Sequence, residues 1–265
     1  MNLMVYLIFL IVSFGASIAG AICGIGGGVI IKPALDAVGV LDVATISFLS
    51  GCTVLTMSCY SVYKVKRSGE SLIDMKIGTP LAIGAAVGGV VGKWMFQMVS
   101  FMFADKNMVG AVQAACLLVI TLGTLIYTIY KEKIHTKHLV NFVVCLLVGL
   151  VLGIMSSFLG IGGGPINLVV LFYFFSMDTK AAAQNSLYII LFSQITSFLQ
   201  TVLTGKVPAF PIMALVIMVF GGLMGGFCGR IINKKMDSKM VDKLFICLMV
   251  VIIGINCYNI YKFIG

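Results

Sequence analysis

The stretch Gly24-Ile25-Gly26-Gly27-Gly28 returns unchanged at residues 160–164. Each copy follows a long apolar segment and precedes a shorter one. Consecutive glycines disfavour a helix by roughly 1 kcal/mol each relative to alanine, so both copies predict a break. Inside a membrane, a broken helix is tolerated only where protein surrounds it or where it lines a cavity. Paired breaks at matching positions in two halves of a chain are typical of the binding sites of transporters.

The composition is that of an integral membrane protein. Of the 265 residues, 60% are hydrophobic and 10% are charged, and the mean hydropathy is +1.13. No stretch is polar enough for a separate soluble domain, so residues 1–265 are predicted to form one membrane domain. The net charge of +9 comes from basic residues in short loops between apolar segments. That distribution indicates a lipid bilayer rather than a nucleic acid as the partner.

The apolar segments form two sets of five. They are predicted at 3–22, 27–40, 42–64, 72–95 and 107–130, and then at 139–160, 164–177, 179–203, 209–231 and 241–263. Segments 27–40 and 164–177 reach only about 20 Å as helices, whereas the hydrocarbon core is about 30 Å thick. They are expected to be half-helices, re-entrant pieces or strongly tilted spans. Segment 3–22 resembles a signal peptide but lacks a preceding Lys or Arg, so we interpret it as a retained helix.

The two sets are interpreted as an internal repeat, residues 1–134 and residues 135–265. The two glycine motifs are 136 residues apart, and the same offset relates Asp42 to Asp178 and Ser50 to Ser186. After a one-residue insertion, glycines recur with i, i+4, i+8 spacing in both halves, which predicts close packing of two helices. These triplets are Gly84, Gly88, Gly92 and Gly221, Gly225, Gly229.

The charges favour inverted repeats. If the short segments do not cross the membrane, the basic loops fall on opposite sides, against the positive-inside rule. If each short segment crosses, only Lys93, Lys106, Lys206 and Lys262 remain for the other side. An odd number of crossings per half inverts the second repeat and places both termini outside the cytoplasm. The residues that then share one side are Lys64, Lys66, Arg67, Lys76, Lys131, Lys133, Lys137, Arg230, Lys234, Lys235, Lys239 and Lys243.

The helices that start at the glycine motifs are predicted to bind an anion. The first N–H groups of a helix lack intrahelical partners and carry the positive end of the helix dipole. Two such ends meeting near the middle of the membrane would form an anion site. The alternative is that the glycines only permit a turn or tight packing. The candidate binding residues here are Gly26, Gly27, Gly28, Gly162, Gly163, Gly164 and Asn167.

Further candidates are polar side chains in the segments that follow. Lys32 is a charge within a short apolar segment, which is a functional candidate by default. It can bind an anion, extend to the membrane surface, or pair with Asp36 one turn away. Asp42 and Asp178 are expected to be N-caps rather than ligands. The remaining candidates are Ser50, Thr53, Gln184, Asn185 and Ser186.

The sequence offers no constellation for catalysis. Gly92-Lys93 and Gly205-Lys206 lack the flanking residues of a nucleotide-binding loop, and the two histidines have no carboxylate cluster beside them. An enzyme, a metal site and a cofactor are therefore not expected. Few acidic residues lie in the apolar segments, which favours a small anionic solute as the substrate.

The two glycine motifs, the Pro33-Ala34-Leu35 stretch and the segment 181–187 resemble the TauE/SafE family of sulfite and sulfonate exporters. The resemblance covers essentially the whole chain. It implies an all-helical, multi-pass permease of the bacterial inner membrane that transports sulfite or organosulfonates. A passive anion channel and a permease for another small solute are the alternatives, and the sequence leaves a homo-oligomer open.

Overall fold

A computed structural model describes residues 2–69, 71–103 and 106–264 and contains no β-strand in those ranges. Eight of its helices are long and apolar enough to cross a membrane. The described part of the chain is thus an all-α polytopic membrane protein. Its helices are α1 (Leu3–Cys23), α2 (Gly28–Val38), α3 (Val43–Arg67), α4 (Met75–Met102), α5 (Lys106–Tyr130), α6 (Phe142–Leu159), α7 (Pro165–Phe175), α8 (Thr179–Leu203), α9 (Ile212–Lys235) and α10 (Ser238–Ile264).

The predicted breaks at the glycine motifs are confirmed. α1 ends at Gly24 with φ +75°, and α6 ends at Gly160 with φ +65°. This left-handed backbone is the usual end of a helix at glycine. The short helices begin directly afterwards, and α7 has Pro165 in its first turn, where a missing N–H costs little. The sequence therefore dictates a long helix, a tight turn and a short helix in each half.

The N-caps of the third helix in each set are confirmed as well. The carboxylate of Asp42 accepts a hydrogen bond from the backbone N–H of Thr45 at 2.8 Å. Asp178 accepts one from the N–H of Ala181 at 2.7 Å. These aspartates satisfy N–H groups that a helix start leaves unpaired, which explains why α3 and α8 begin immediately after them.

Both glycine triplets are packing seams, as predicted. A Cβ atom added to any of the six glycines would overlap a neighbouring helix. The α4 triplet packs on α6 and the α9 triplet packs on α1, so each seam joins one half of the chain to the other. The residue numbers rise together along each seam, so the paired helices are parallel. The contacts are Gly84 with Leu146, Gly88 with Leu150, Gly92 with Ile154, Gly221 with Ser13, Gly225 with Phe14, and Gly229 with Ile18.

Matching helices of the two halves run in opposite directions. Other contacts make α9 parallel to α3 and α8 parallel to α4, while α3 and α8 are antiparallel. Together with the seams, they give α1, α3 and α9 one direction and α4, α6 and α8 the other. This reversal is what an inverted repeat requires, whereas the duplication itself stays a prediction. The contacts are Gly222 with Thr53, Gly226 with Met57, Gly78 with Asn185, Gly89 with Ser193, and Phe48 with Phe198.

Each glycine motif is the tip of a helical hairpin. Leu35 of α2 packs in one cluster with Phe9 of α1, near the start of that helix. In the second half, the backbone N–H of Leu139, just before α6, donates to the carbonyl of Phe174 near the end of α7 at 2.9 Å. The short helices therefore run back toward the end of the molecule at which the preceding long helix begins.

The helix directions give the molecule two distinct ends. At one end, α3, α5 and α9 finish and α4, α6, α8 and α10 start. All twelve basic residues that the sequence analysis grouped on one side belong to these termini and their loops. We call this the basic end. The opposite end carries the start of α1 and the end of α10, and we call it the terminal end.

Candidate functional site

The two glycine loops meet inside the protein, where residues 24–28 and 161–164 are buried. Gly28 lies against the carbonyl of Ile161, and Gly163 lies against the carbonyl of Ile25. Gly163 has φ +144°, a conformation that side chains rarely permit. A Cβ on Gly28 would therefore push the loops apart, whereas a Cβ on Gly163 would first overlap the side chain of Ile190 in α8.

The structure brings about half of the predicted binding residues to this centre. Gly26 faces the carbonyl of Gly162, and the hydroxyl of Ser50 lies beside Gly28. Gly27 packs on Ser17 of α1. Glycines therefore let two backbone turns and a serine hydroxyl approach one another closely. The tight-packing alternative accounts for these contacts as well as an anion site does.

The other polar candidates near the loops already bond to protein groups. The amide nitrogen of Asn167 donates to the hydroxyl of Ser186 at 3.4 Å, and Thr53 donates to the carbonyl of Leu49 at 2.9 Å. Gly164 has an extended backbone with φ −170° and precedes the first turn of α7. These residues lie next to the glycine loops, and their role as ligands stays a prediction.

Several buried hydroxyl groups around the loops make no hydrogen bond to the described residues. Buried polar groups in proteins are nearly always paired, so a cluster of unpaired ones suits a polar solute. They are the Oγ atoms of Ser17, Ser47, Ser50 and Ser157.

Lys32 pairs with Asp36. The Lys32 Nζ atom is 2.6 Å from Asp36 Oδ2, and both side chains are only 4% exposed. Of the three alternatives for Lys32, internal pairing is the one that the structure has. Its charge is balanced within α2, and its role in substrate binding stays a prediction.

The side chains of Gln184 and Asn185 bond to the segment before α4 rather than to the glycine loops. Asn185 donates to the carbonyl of Leu72 at 3.0 Å and accepts from the N–H of Asp74 at 3.2 Å. Gln184 Oε1 accepts from the N–H of Leu72 at 2.8 Å. Both side chains therefore hold the backbone of a loop that is more than a hundred residues away in sequence.

Two cavities lie on opposite sides of the glycine loops. The larger one, about 550 Å³, lies toward the basic end and is lined by Lys180, Arg230 and Lys234, among others. We call it the vestibule. The other cavity, about 20 Å³, lies toward the terminal end and is lined by Lys93, Ser47, Ser157 and Gln194, among others. We call it the Lys93 cavity.

Both cavities are electrostatically suited to anions. Among the described residues, neither lining contains Asp or Glu, whereas each contains at least one basic side chain. Lys93 is not among the residues predicted from the sequence, because it lies two residues before the predicted end of segment 72–95 and is grouped with the loop charges. The signal that points to it is its position directly after Gly92, which matches that of Arg230 after Gly229.

Comparison with known proteins agrees with this architecture. The family model described as "Sulfite exporter TauE/SafE" matches residues 9–256. The chain is 25% identical to the "Probable membrane transporter protein YunE" of Bacillus subtilis (strain 168), with 98% of each sequence covered. No solved structure matches the chain. The protein is therefore a membrane permease that belongs to the TauE/SafE family.

Proposed function

We propose that this permease carries small anions, with sulfite or an organosulfonate as the substrate. The observation that carries the proposal is the pair of cavities flanking the glycine loops, whose described linings have basic residues and no carboxylate. The description of the family as a sulfite exporter favours a sulfur oxyanion over other small anions.

The route that we propose runs from the vestibule, past the two glycine loops, into the Lys93 cavity. Unpaired serine hydroxyls line the middle of this route and can donate to oxyanion oxygens. The free N–H groups at the starts of α2 and α7 add positive potential there. A backbone break at this depth is tolerated because protein surrounds it.

The proposed mechanism is alternating access by a secondary transporter. A vestibule of about 550 Å³ on one side and a cavity of about 20 Å³ on the other fit a conformation open at one end. Helices of opposite direction in the two halves favour a second conformation in which the sizes are exchanged. A passive channel would instead need a continuous path at both ends.

The orientation that we propose places the basic end in the cytoplasm. The positive-inside rule requires the side with more Lys and Arg in short loops to face inward. Both chain termini then lie outside, and the vestibule opens to the cytoplasm. The corresponding location is the inner membrane of a bacterium.

A ligand panel tests the substrate class. Purified protein in detergent would be heated with sulfite, thiosulfate, taurine, sulfoacetate, sulfate or phosphate, with neutral amino acids as controls. A ligand at a hundredfold excess over its dissociation constant stabilises the folded state by about 2.7 kcal/mol. We expect stabilisation by sulfite or the sulfonates. Stabilisation by neutral solutes alone would contradict an anion site.

A flux assay separates the transporter from the channel. In liposomes containing the protein, sulfite trapped inside should accelerate uptake of labelled sulfite from outside, and uptake should saturate. Electrical conductance that rises without saturation, and is indifferent to trapped sulfite, would instead establish a channel.

A further inference from the structure

The vestibule and the Lys93 cavity are lined by matching positions of the two halves. The offset of 136 residues relates Ala21 to Ser157 and Ser61 to Ser197, and the first of each pair lines the vestibule while the second lines the Lys93 cavity. Beyond the one-residue insertion, Arg230 matches Lys93. Four more pairs match in the same way. Most residues that line the Lys93 cavity therefore have a counterpart in the lining of the vestibule.

Lys93 shares the lining of its cavity with groups that donate hydrogen bonds. The hydroxyls of Ser47 and Ser157 are buried, with 3% exposure each, and have no partner among the described residues. Gln194, 5% exposed, contributes an amide to the same lining. An ammonium, two hydroxyls and an amide form a set that can surround the oxygens of a small oxyanion.

Lys93 has no carboxylate partner in the described part of the chain. The ion pairs there are Lys32 with Asp36 and Lys131 with Asp242. The contact that Lys93 does make is with the ring of Phe96, whose centroid is 5.3 Å from Nζ. Lys93 lies within the membrane-spanning helix α4, where a lysine without a neutralising acid is costly and is a functional candidate by default.

We propose that Lys93 and Arg230 are equivalent substrate-binding residues, one on each side of the glycine loops. The anion contacts Arg230 when the vestibule is open and Lys93 when the opposite cavity is open. This inference rests on the proposed anion transport and adds the residues that hold the anion at each end of the route.

The two sites differ in ways that follow from their side chains. Arg230 presents a planar guanidinium, one nitrogen of which donates to the hydroxyl of Ser68 at 2.8 Å. Lys93 presents a compact point charge, which is more strongly hydrated. A volume of about 20 Å³ holds about one water molecule, so the anion reaches Lys93 only after that cavity widens.

The test compares Lys93→Gln with Lys206→Gln in liposomes. Lys206 lies at the same end, is exposed, and donates to Gln97 at 2.9 Å, outside both cavities. We expect Lys93→Gln to raise the KM for sulfite at least tenfold and Lys93→Arg to restore most of the loss. Lys206→Gln should leave KM within twofold of the wild type. Size-exclusion profiles and melting temperatures identify any variant that fails to fold.

A second measurement reports on the cavity itself. Cys52 lines the Lys93 cavity, so a thiol reagent can label it once that cavity widens, in a protein whose other cysteines are replaced. Sulfite should slow the labelling of Cys52 when Lys93 is present and should have no effect on it after Lys93→Gln. Suppose that the wild type transports sulfite, but Lys93→Gln leaves the KM unchanged and sulfite still slows the labelling of Cys52. The assignment of Lys93 would then be wrong, while the proposed anion transport would stand. If the wild type transports no anion, the proposed function fails, and the inference fails with it.

Discussion

The carbonyl of Ile161 occupies the space into which Gly28 would project a Cβ atom. One backbone turn thus packs directly on the start of the other short helix, with no side chain between them. The proximity of two helix starts, on which the anion proposal depends, is therefore set by glycine at this position.

Replacing Gly28 with alanine should abolish transport. The methyl group would overlap the Ile161 carbonyl, and overpacking of this kind costs about 1–3 kcal/mol. Gly163→Val should also abolish transport, because the added side chain would overlap Ile190 and crowd the carbonyl of Ile25. The rate of sulfite uptake per correctly folded protein is the measurement. Gly15→Ala is the matched control, since nothing lies within 4 Å of its added Cβ. Normal uptake by both loop variants would show that transport does not depend on the close approach of the two glycine loops.

The Lys32–Asp36 pair permits a test that separates stability from binding. Asp36→Asn leaves a buried charge unpaired and should destabilise the protein by about 3–5 kcal/mol. The double variant Lys32→Met, Asp36→Leu removes both charges, so thermal unfolding should return close to that of the wild type. Sulfite affinity of the double variant then decides the role of Lys32. Unchanged affinity assigns the pair to structure, and lost affinity assigns Lys32 to the substrate.

The α4–α6 seam should be intolerant of small additions. A Cβ at Gly88 would overlap the carbonyl of Leu150, so Gly88→Ala should lower stability in detergent by about 1–3 kcal/mol. Gly123 of α5 has open space around its added Cβ. Gly123→Ala should therefore leave stability unchanged or raise it, because alanine favours the helix. Equal changes in stability for Gly88→Ala and Gly123→Ala would contradict close packing of α4 on α6.

The orientation is tested by reporters fused to the chain. A reporter that works only in the cytoplasm should give no signal after residue 265 and a clear signal when fused after Lys137. The physical reason is the accumulation of basic residues at the end that includes the loop 131–141. Signal from the C-terminal fusion would place the basic end outside and refute the proposed orientation.

The local features of this protein were readable from sequence because they depend on local chemistry. Consecutive glycines end α1 and α6, Asp42 caps α3, and glycine triplets pack closely wherever their helices meet another. The length of an apolar segment likewise separates the long helices from the short ones. Each of these inferences needs only a few neighbouring residues.

The roles of polar side chains depended on partners that are distant in sequence. Asn185 looked like a ligand, yet it bonds to backbone near Leu72, and no local pattern predicts that loop beside α8. Lys93 looked like a loop charge, yet the packing of Gly92 on α6 turns this part of α4 toward the Lys93 cavity. Matching the two halves residue by residue would have drawn attention to Lys93 through Arg230.

The seam between α1 and α9 has a consequence for how the protein is made. Roughly 200 residues separate Ser13 from Gly221. At a synthesis rate of about 5–20 residues per second, α9 is therefore made about 10–40 s after α1. α4, by contrast, meets α6 soon after it is synthesised. The first half alone therefore leaves the groove of α1 facing lipid. We expect the core to close only when the ribosome has nearly finished the chain.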